Sequence, residues 1–368
     1  MKVFLLAGAP AQEKVEFFNL LAKQCELTVA FERYPVENSI WQFNSAANTF
    51  KSIFLQGFSL GQNTVSFGLN KLLNQQPYDV YVIGDCRTTA EKSFVREMVL
   101  NNKKYIIASE GGFPEINESS LSKMRKIDCF RRASYYLSCG SAGDAYLSSY
   151  GADMSKVFRY NYASFSQKDT LLATPMTSAR KRGLISRFRL KENIFISTID
   201  FSEQQGIDIL LDIWKFAGID DADLLVISDA ISHKKLFKMV RKLALNNIVM
   251  LDYQPKELTR ELIRLSKAMI YPARHDPWGL PVVESLSCGT PVISSYNVGA
   301  AHDLIHNNKT GYINGIEEPA AWGEDMREII KRDSLLKTMR TNALNSMTKF
   351  TIESRVKTYI DVFKKCAI

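Results

Sequence analysis

The stretch Tyr271–Gly311 reads YPARHDPWGLPVVESLSCGTPVISSYNVGAAHDLIHNNKTG. It opens at the end of a short apolar run, Ala268–Tyr271, and passes through a loop containing Asp276-Pro277-Trp278-Gly279. From about Leu280 to Ser287 the pattern predicts a helix. Pro281 falls in its first turn, where a missing N–H costs nothing, and Gly289 ends it as a C-terminal glycine does. Pro291 then opens the next strand. Gly279 lets the backbone come close to a ligand, and the N–H groups at the helix start favour a phosphate. Asp276 and Glu284 are eight positions apart. One precedes the helix and the other sits a little over one turn into it, so both can face the same cleft. Carboxylates placed there accept hydrogen bonds from sugar or ribose hydroxyls.

Outward from this unit, the alternation of strand and helix runs the length of the chain. Short apolar runs lie at Lys2–Ala7, Leu27–Phe31, Asp79–Gly84, Tyr105–Ser109 and Tyr135–Ser138, and again at Asn193–Ser197, Asp223–Ser228, Asn247–Leu251, Ala268–Tyr271 and Pro291–Ser295. Amphipathic stretches such as Lys14–Lys23 and Gly206–Phe216 lie between them. Strands apolar on both faces, joined by helical crossovers, make parallel sheets covered on both sides. The pattern restarts near Asn193, after a polar, basic stretch from Ser166 to Lys191. The expected architecture is two doubly wound α/β domains, facing each other across a cleft at their carboxyl strand ends. The expected bounds are 1–165, a linker over 166–192, a second domain over 193–345 and a C-terminal helix over 346–368 packing back toward the first domain.

Composition narrows the function classes. The 368 residues, 46% hydrophobic and 23% charged, suit two globular domains. A net charge of +8 favours an anionic partner. No apolar run approaches the ~18 residues of a membrane span. The opening Met1–Leu6 reads as a buried strand and not as a secretory signal. Disorder and low complexity are excluded. The six cysteines are scattered without a CxxC pair, as in a cytosolic protein with reduced thiols. The four histidines form no metal-ligand spacing, so no bound metal is expected. No zinc-finger, RNP or helix-turn-helix pattern supports nucleic-acid binding. Two basic stretches stand out. Arg327–Ile368 carries ten Lys/Arg against four Asp/Glu, and Lys123–Arg132 interleaves Met124, Ile127 and Phe130. The first is either a solvated helix face or a membrane-surface or acceptor-docking face, and the second either packs its three apolar residues inward with its charges outward or docks on anionic lipid.

The segment Tyr271–Gly311 resembles the signature of retaining glycosyltransferases of family 4, which have the GT-B fold. That family's E-x(7)-E, followed by C-G-x-P-V-I, is matched by Asp276-x(7)-Glu284 and by Cys288-Gly289-Thr290-Pro291-Val292-Ile293. The D-P-W-G-L form at Asp276–Leu280 resembles a bacterial polysaccharide-assembly branch. The family's V-G-G-x-x-E is altered to Val298-Gly299-Ala300-Ala301-His302-Asp303. Val15–Ala22 and Ser141–Lys156 extend the likeness into the first half, with gaps around 35–75 and 165–190. The resemblance implies a nucleotide-sugar donor, most often a UDP-sugar, and transfer with retention of configuration. Glu284 would hold the ribose hydroxyls and Asp276 those of the transferred sugar. The amides of Gly279 and Leu280 would approach the sugar or the diphosphate. No divalent metal or other cofactor is implied, because fixed charges and dipoles stabilise the leaving group. The acceptor would be a glycan or a lipid-linked glycan, recognised by the first domain at the cytoplasmic face of the membrane. There, Gly8 either faces the ligands or only turns the chain. Glu110-Gly111-Gly112 either meets an acceptor hydroxyl or forms a plain turn. His275, beside Asp276, is a substrate contact or a surface residue.

One departure bears on mechanism. Most members carry G-R…K-G after the first strand of the second domain, and its two cations neutralise the diphosphate. This chain has Thr198 and Gln205 in their place, while Gly206 is kept. Losing two charge-assisted contacts costs several kcal/mol of leaving-group stabilisation unless other residues replace them. Arg274, Lys181, Arg182 and Arg187 are the candidate replacements. Three outcomes stay open: an unusual phosphate pocket, slow catalysis, or a silent relative that binds without catalysing. Sugar-nucleotide epimerases share the two-domain shape, but the D-P-W-G-L loop favours transfer.

Overall fold

The computed structural model describes residues 1–35, 42–60, 63–114, 118–170 and 176–367. The chain forms two compact units, one of Met1–Ser166 with Phe350–Ile368 and one of Gln167–Lys349.

The first unit is built on strands β1 (Lys2–Ala7), β2 (Glu26–Phe31), β3 (Lys51–Phe54), β6 (Val80–Ile83), β7 (Ile106–Ala108), β8 (Tyr135–Ser138) and β9 (Val157–Arg159), with β4 (Gln56–Leu60) and β5 (Asn63–Phe67) forming a separate antiparallel hairpin. The seven-stranded sheet is parallel throughout, in the order β3-β2-β1-β6-β7-β8-β9. Val3, Phe4, Leu5 and Leu6 of β1 are all buried, as a central strand covered on both faces requires. The helix Thr89–Leu100 begins with a capping box between Thr88 and Glu91. The last helix, Ile352–Ala367, packs on Gln12–Leu21, with Tyr359 edge-on to Phe17 at 4.9 Å.

The second unit carries β10 (Asn193–Thr198), β11 (Ala222–Ser228), β12 (Ile248–Asp252), β13 (Ala268–Tyr271), β14 (Val292–Ser295) and β15 (Gly311–Asn314). Their order is β12-β11-β10-β13-β14-β15, again all parallel. In both sheets the strand order reverses beside the first strand, between β1 and β6 and between β10 and β13. Such reversals leave a crevice at the carboxyl strand ends, where open α/β sheets bind ligands.

Two expectations need correction. Residues 166–192 are not a free linker. The helices Gln167–Thr170 and Ser178–Phe188 occupy much of them, and the second unit begins at Gln167. The strands β3, β9 and β15, and the hairpin of β4 and β5, were not anticipated. The first two are short edge strands with little of the two-faced burial that marks a central strand, and β15 opens on a glycine. The basic stretch Lys123–Arg132 lies mostly on the helix Ser120–Arg131, which buries Phe130 and part of Ile127 in the core. Its Lys126 is withdrawn as well, paired with Glu118 at 3.1 Å. Leu121 and Met124 stay exposed.

Candidate active site

The second unit gathers the sequence-predicted donor residues at the β10/β13 reversal. Thr198 ends β10, and the turn Glu203–Gln205 leads through Gly206 into the helix Ile207–Ala217. From β13, Tyr271 leads into Arg274, His275 and Asp276, then through Gly279 into the helix Leu280–Ser287, which carries Glu284.

Backbone hydrogen bonds tie these two connections together. The Arg274 and His275 amides donate to the Gln204 carbonyl at 2.7 and 3.1 Å. Gly206 has φ +71°, and a Cβ there would lie 2.6 Å from the Pro272 carbonyl oxygen. Arg274 is not poised for a phosphate. Its guanidinium forms a two-pronged bond to Asp208 at 2.7 and 2.5 Å and donates to the Glu203 carbonyl. That hydrogen bonding holds the Asp208 carboxyl below its usual range. Arg274 therefore braces the turn that presents Gln205.

The turn brings Gln205 to Tyr271 and thereby to Asp276. The Tyr271 hydroxyl donates to Asp276 Oδ2 at 2.7 Å and lies 3.1 Å from the Gln205 side-chain amide. Burial, together with the Asp276 carboxylate, pushes the Tyr271 hydroxyl well above its ordinary pKa, so it remains a donor. Asp276 Oδ1 accepts the Trp278 N–H at 3.1 Å. The carboxylate is thus aimed by one side chain and one backbone amide. Sequence reasoning missed Tyr271, because it reads as a routine apolar strand end. The Thr198 hydroxyl is enclosed without a hydrogen-bond partner.

The Asp276–Gly279 loop is clasped by the segment after β14. Asp276 N–H donates to Asn297, Gly299 N–H to Asp276 and Ala300 N–H to Trp278, with a bridge between Asp276 and Val298. Two glycines make the clasp possible. A Cβ on Gly299 would lie 2.3 Å from the Pro277 carbonyl oxygen, and one on Gly279, at φ +96°, would lie 2.3 Å from Val298 Cγ1. Internal packing thus requires glycine at 279, apart from any approach to a ligand. We expect Gly279→Ala to cost about 3 kcal/mol through backbone strain and overlap, read as a lowered urea midpoint.

The other candidate cations lie elsewhere. Lys181 pairs with Glu192 at 3.0 Å. It lines a 550 Å³ cavity with Ser287, Cys288 and Gly289, at the end of the Glu284 helix opposite Gly279. Arg182 shares the Lys181 helix, and the Arg187 guanidinium stacks 4.9 Å over Phe188. Among the described residues, no group of three or more His, Cys, Asp and Glu is placed to hold a metal ion.

The first unit has its own site at the β1/β6 reversal, a 210 Å³ pocket whose lining includes Gly8, Lys14, Asp85, Arg87, Glu110 and Arg355. Gly8 and Glu110 meet here. Gly111, at φ +104°, turns the chain directly behind Glu110. Glu110 lies deep among protein atoms yet keeps 40% of its side chain open. Burial pushes its carboxyl up, but Lys14 at 2.7 Å and Arg355 at 3.7 Å outweigh this and hold it below the usual range. Asp85 and Arg355 had no sequence signal. One follows a strand as an isolated acid, and the other reads as part of a basic helix.

The residues 184–346 match the family model Glycosyl transferases group 1. An uncharacterized glycosyltransferase of Methanocaldococcus jannaschii is 28% identical over 156 residues, covering 42% of this chain and 43% of that protein. The N-acetyl-alpha-D-glucosaminyl L-malate synthase of Bacillus anthracis is 24% identical over 190 residues, covering 51% and 49%. The chain therefore spans about half the length of these curated relatives or less, 49% and 43%. Among solved structures, Anabaena Alr3699/HepE in complex with UDP superposes with a TM-score of 0.81 over 99% of this chain and 100% of its own, at 14% identity. The chain has the GT-B fold of two Rossmann-like domains, and the Glycosyl transferases group 1 segment, residues 184–346, contains the Tyr271–Asp276 site and Glu284.

Proposed function

We propose that the chain is a retaining hexosyltransferase, moving a sugar from a UDP-sugar to a hydroxyl of a glycan or lipid-linked acceptor. The observation that carries this reading is the Gln205–Tyr271–Asp276 chain at the β10/β13 reversal, inside the segment that matches the family model. Asp276 receives hydroxyls of the transferred sugar, and Glu284 receives those of the ribose. The solved relative Alr3699/HepE, also described in complex with UDP-glucose, supports the donor class.

With Thr198 and Gln205 replacing the usual cations, leaving-group charge falls to the amides at the start of the Glu284 helix. This reading needs no metal or cofactor. The acceptor enters the pocket of the first unit, and the setting is bacterial surface polysaccharide assembly at the cytoplasmic face of the membrane. Peripheral contact there would use the exposed Leu121 and Met124 with Lys123 and Arg125. No helix among the described residues is long and apolar enough to cross a membrane.

One observation favours the alternative of a silent, ligand-binding relative: Arg274 is committed to Asp208. The deciding experiment offers UDP-glucose, UDP-galactose and GDP-mannose, each with a panel of glycoside acceptors, and reads the product anomer by NMR. We expect an α-linked product from an α-configured donor. A β-linked product would remove retention from the reading. Donor binding without transfer to any acceptor would select the silent relative.

A further inference from the structure

The 550 Å³ cavity at the Gly289 end of the helix Leu280–Ser287 is lined by residues of the second unit alone. Five cations line it, Lys181, Lys256, Arg260, Arg264 and Arg340, against three carboxylates, Asp169, Glu257 and Glu261. Local pairing does not close the difference. Lys181 is met by Glu192 at 3.0 Å and Lys256 by Asp169 at 3.7 Å. Glu261 is drawn to a cation outside the lining, accepting two bonds from Arg180 at 2.9 and 2.5 Å. In the charge of the lining, three guanidinium groups then stand against Glu257, which is exposed near the start of its helix.

Two of those groups belong to one stripe. Lys256, Arg260 and Arg264 follow each other at four-residue spacing on the helix Lys256–Leu265, and all three line the cavity. Like charges at that spacing repel, so the stripe costs the helix stability unless counter-charge meets it. Arg340 comes from another helix, Asp333–Ser346. Its guanidinium donates to the carbonyls of Arg264, Gly289 and Ser266 at 3.2, 3.4 and 2.5 Å, and no carboxylate among the described residues pairs with it. Carbonyl dipoles satisfy its N–H groups without cancelling a full charge. Burial, with Arg264 beside it, brings Arg340 down to about 10, as for a cation short of counter-charge. All three arginines are half-buried, so a ligand in the cavity can reach them. Guanidinium groups take phosphate oxygens two at a time, and three around one space suit a dianion. The volume lies within the ~300–1,000 Å³ of small-molecule sites, far more than a bare ion fills. Leu265 and Leu344 supply apolar wall for a carbon skeleton.

We propose that this cavity binds a small phosphomonoester, its phosphate held by Arg260, Arg264 and Arg340 and its carbon body against Leu265 and Leu344. The site lies at the end of the Glu284 helix opposite Gly279, so it is separate from the donor residues and does not depend on the proposed transfer.

Methyl NMR on the full chain with labelled leucines tests this. Glycerol 3-phosphate and glucose 6-phosphate are titrated beside glycerol, glucose and inorganic phosphate. At least one ester is expected to shift the Leu265 and Leu344 methyls saturably. Glycerol and glucose should leave them unmoved, and inorganic phosphate should bind the same place more weakly. The double variant Arg260→Gln/Arg264→Gln should weaken the ester at least tenfold. Glutamine keeps part of each stem and relieves the like-charge stripe, which favours folding. Glu257→Gln is the independent check at an exposed position. It removes the opposing carboxylate and should tighten the ester by about two- to threefold. The proposal is overturned if neither ester shifts these methyls, if the neutral parents shift them equally, or if ester binding is indifferent to both variants. Inorganic phosphate binding as tightly as the esters would overturn the organic ligand, and UDP-glucose displacing the ester from these methyls would overturn the separation from the donor residues.

Discussion

Glu284→Ala is expected to lower kcat/KM for the nucleotide sugar by about 10²–10⁴-fold and to abolish the thermal shift that the donor produces. A carboxylate gripping two ribose hydroxyls makes two charge-assisted hydrogen bonds, each of ~1.5–3 kcal/mol, which together correspond to that loss. Stability should change little. The helix Leu280–Ser287 is anchored by the buried Val282, Val283, Ser285, Leu286 and Ser287, whereas Glu284 is only partly buried. Truncating it opens no core cavity. The measurement is a thermal-shift titration with UDP-, GDP- and ADP-sugars on both proteins. A donor shift that survives intact in Glu284→Ala would place the nucleotide elsewhere.

Arg355→Ala is expected to destabilise the first unit by about 2–5 kcal/mol, the range for truncating a large, fully packed side chain to alanine. Arg355 is 3% exposed and lies over four rings, with centroids at 3.9 Å (Phe17), 4.3 Å (Tyr162), 5.1 Å (Tyr160) and 5.3 Å (Tyr359). Alanine leaves a void at the point where the last helix meets the sheet. It also leaves Glu110 with Lys14 as its one remaining pair among those two cations. Arg355→Met refills much of the volume without the charge and should recover part of the loss. Urea unfolding checks both variants. A cost below about 1 kcal/mol for Arg355→Ala would mean that the ring cage, and not the cation within it, holds this junction together.

Much of this molecule was legible in the sequence, for a local reason. The helix Leu280–Ser287 lies where Pro281, the apolar spacing and Gly289 predict it, and Gly289 has the positive φ of +72° that a C-terminal glycine supplies. The central strands were readable because a strand buried on both faces must be apolar throughout. Edge strands such as β3 and β9 carry no such demand and were passed over. At the site, the loop-and-helix pattern turned Asp276 and Glu284 toward one cleft, and the family resemblance added Gln205 and Gly206 as donor-side candidates. They could not say what those residues touch.

Those contacts depend on chain segments far apart in sequence. Arg274 was a candidate phosphate ligand until Asp208, 66 positions away, took its guanidinium. Gly279 seemed to serve a ligand, but Val298 also demands it. Glu110 is defined by Lys14, 96 positions away, and by Arg355 on the returning helix. The sequence by itself determined two parallel α/β domains and the strand–loop–helix turn at the end of β13, because periodicity, capping and turn residues act over a few neighbours. Only the tertiary structure decided which charges are spent on each other, as Arg274 is on Asp208 and Lys14 on Glu110. Burial and partner geometry at 3–4 Å set that balance, and no spacing along the chain encodes it.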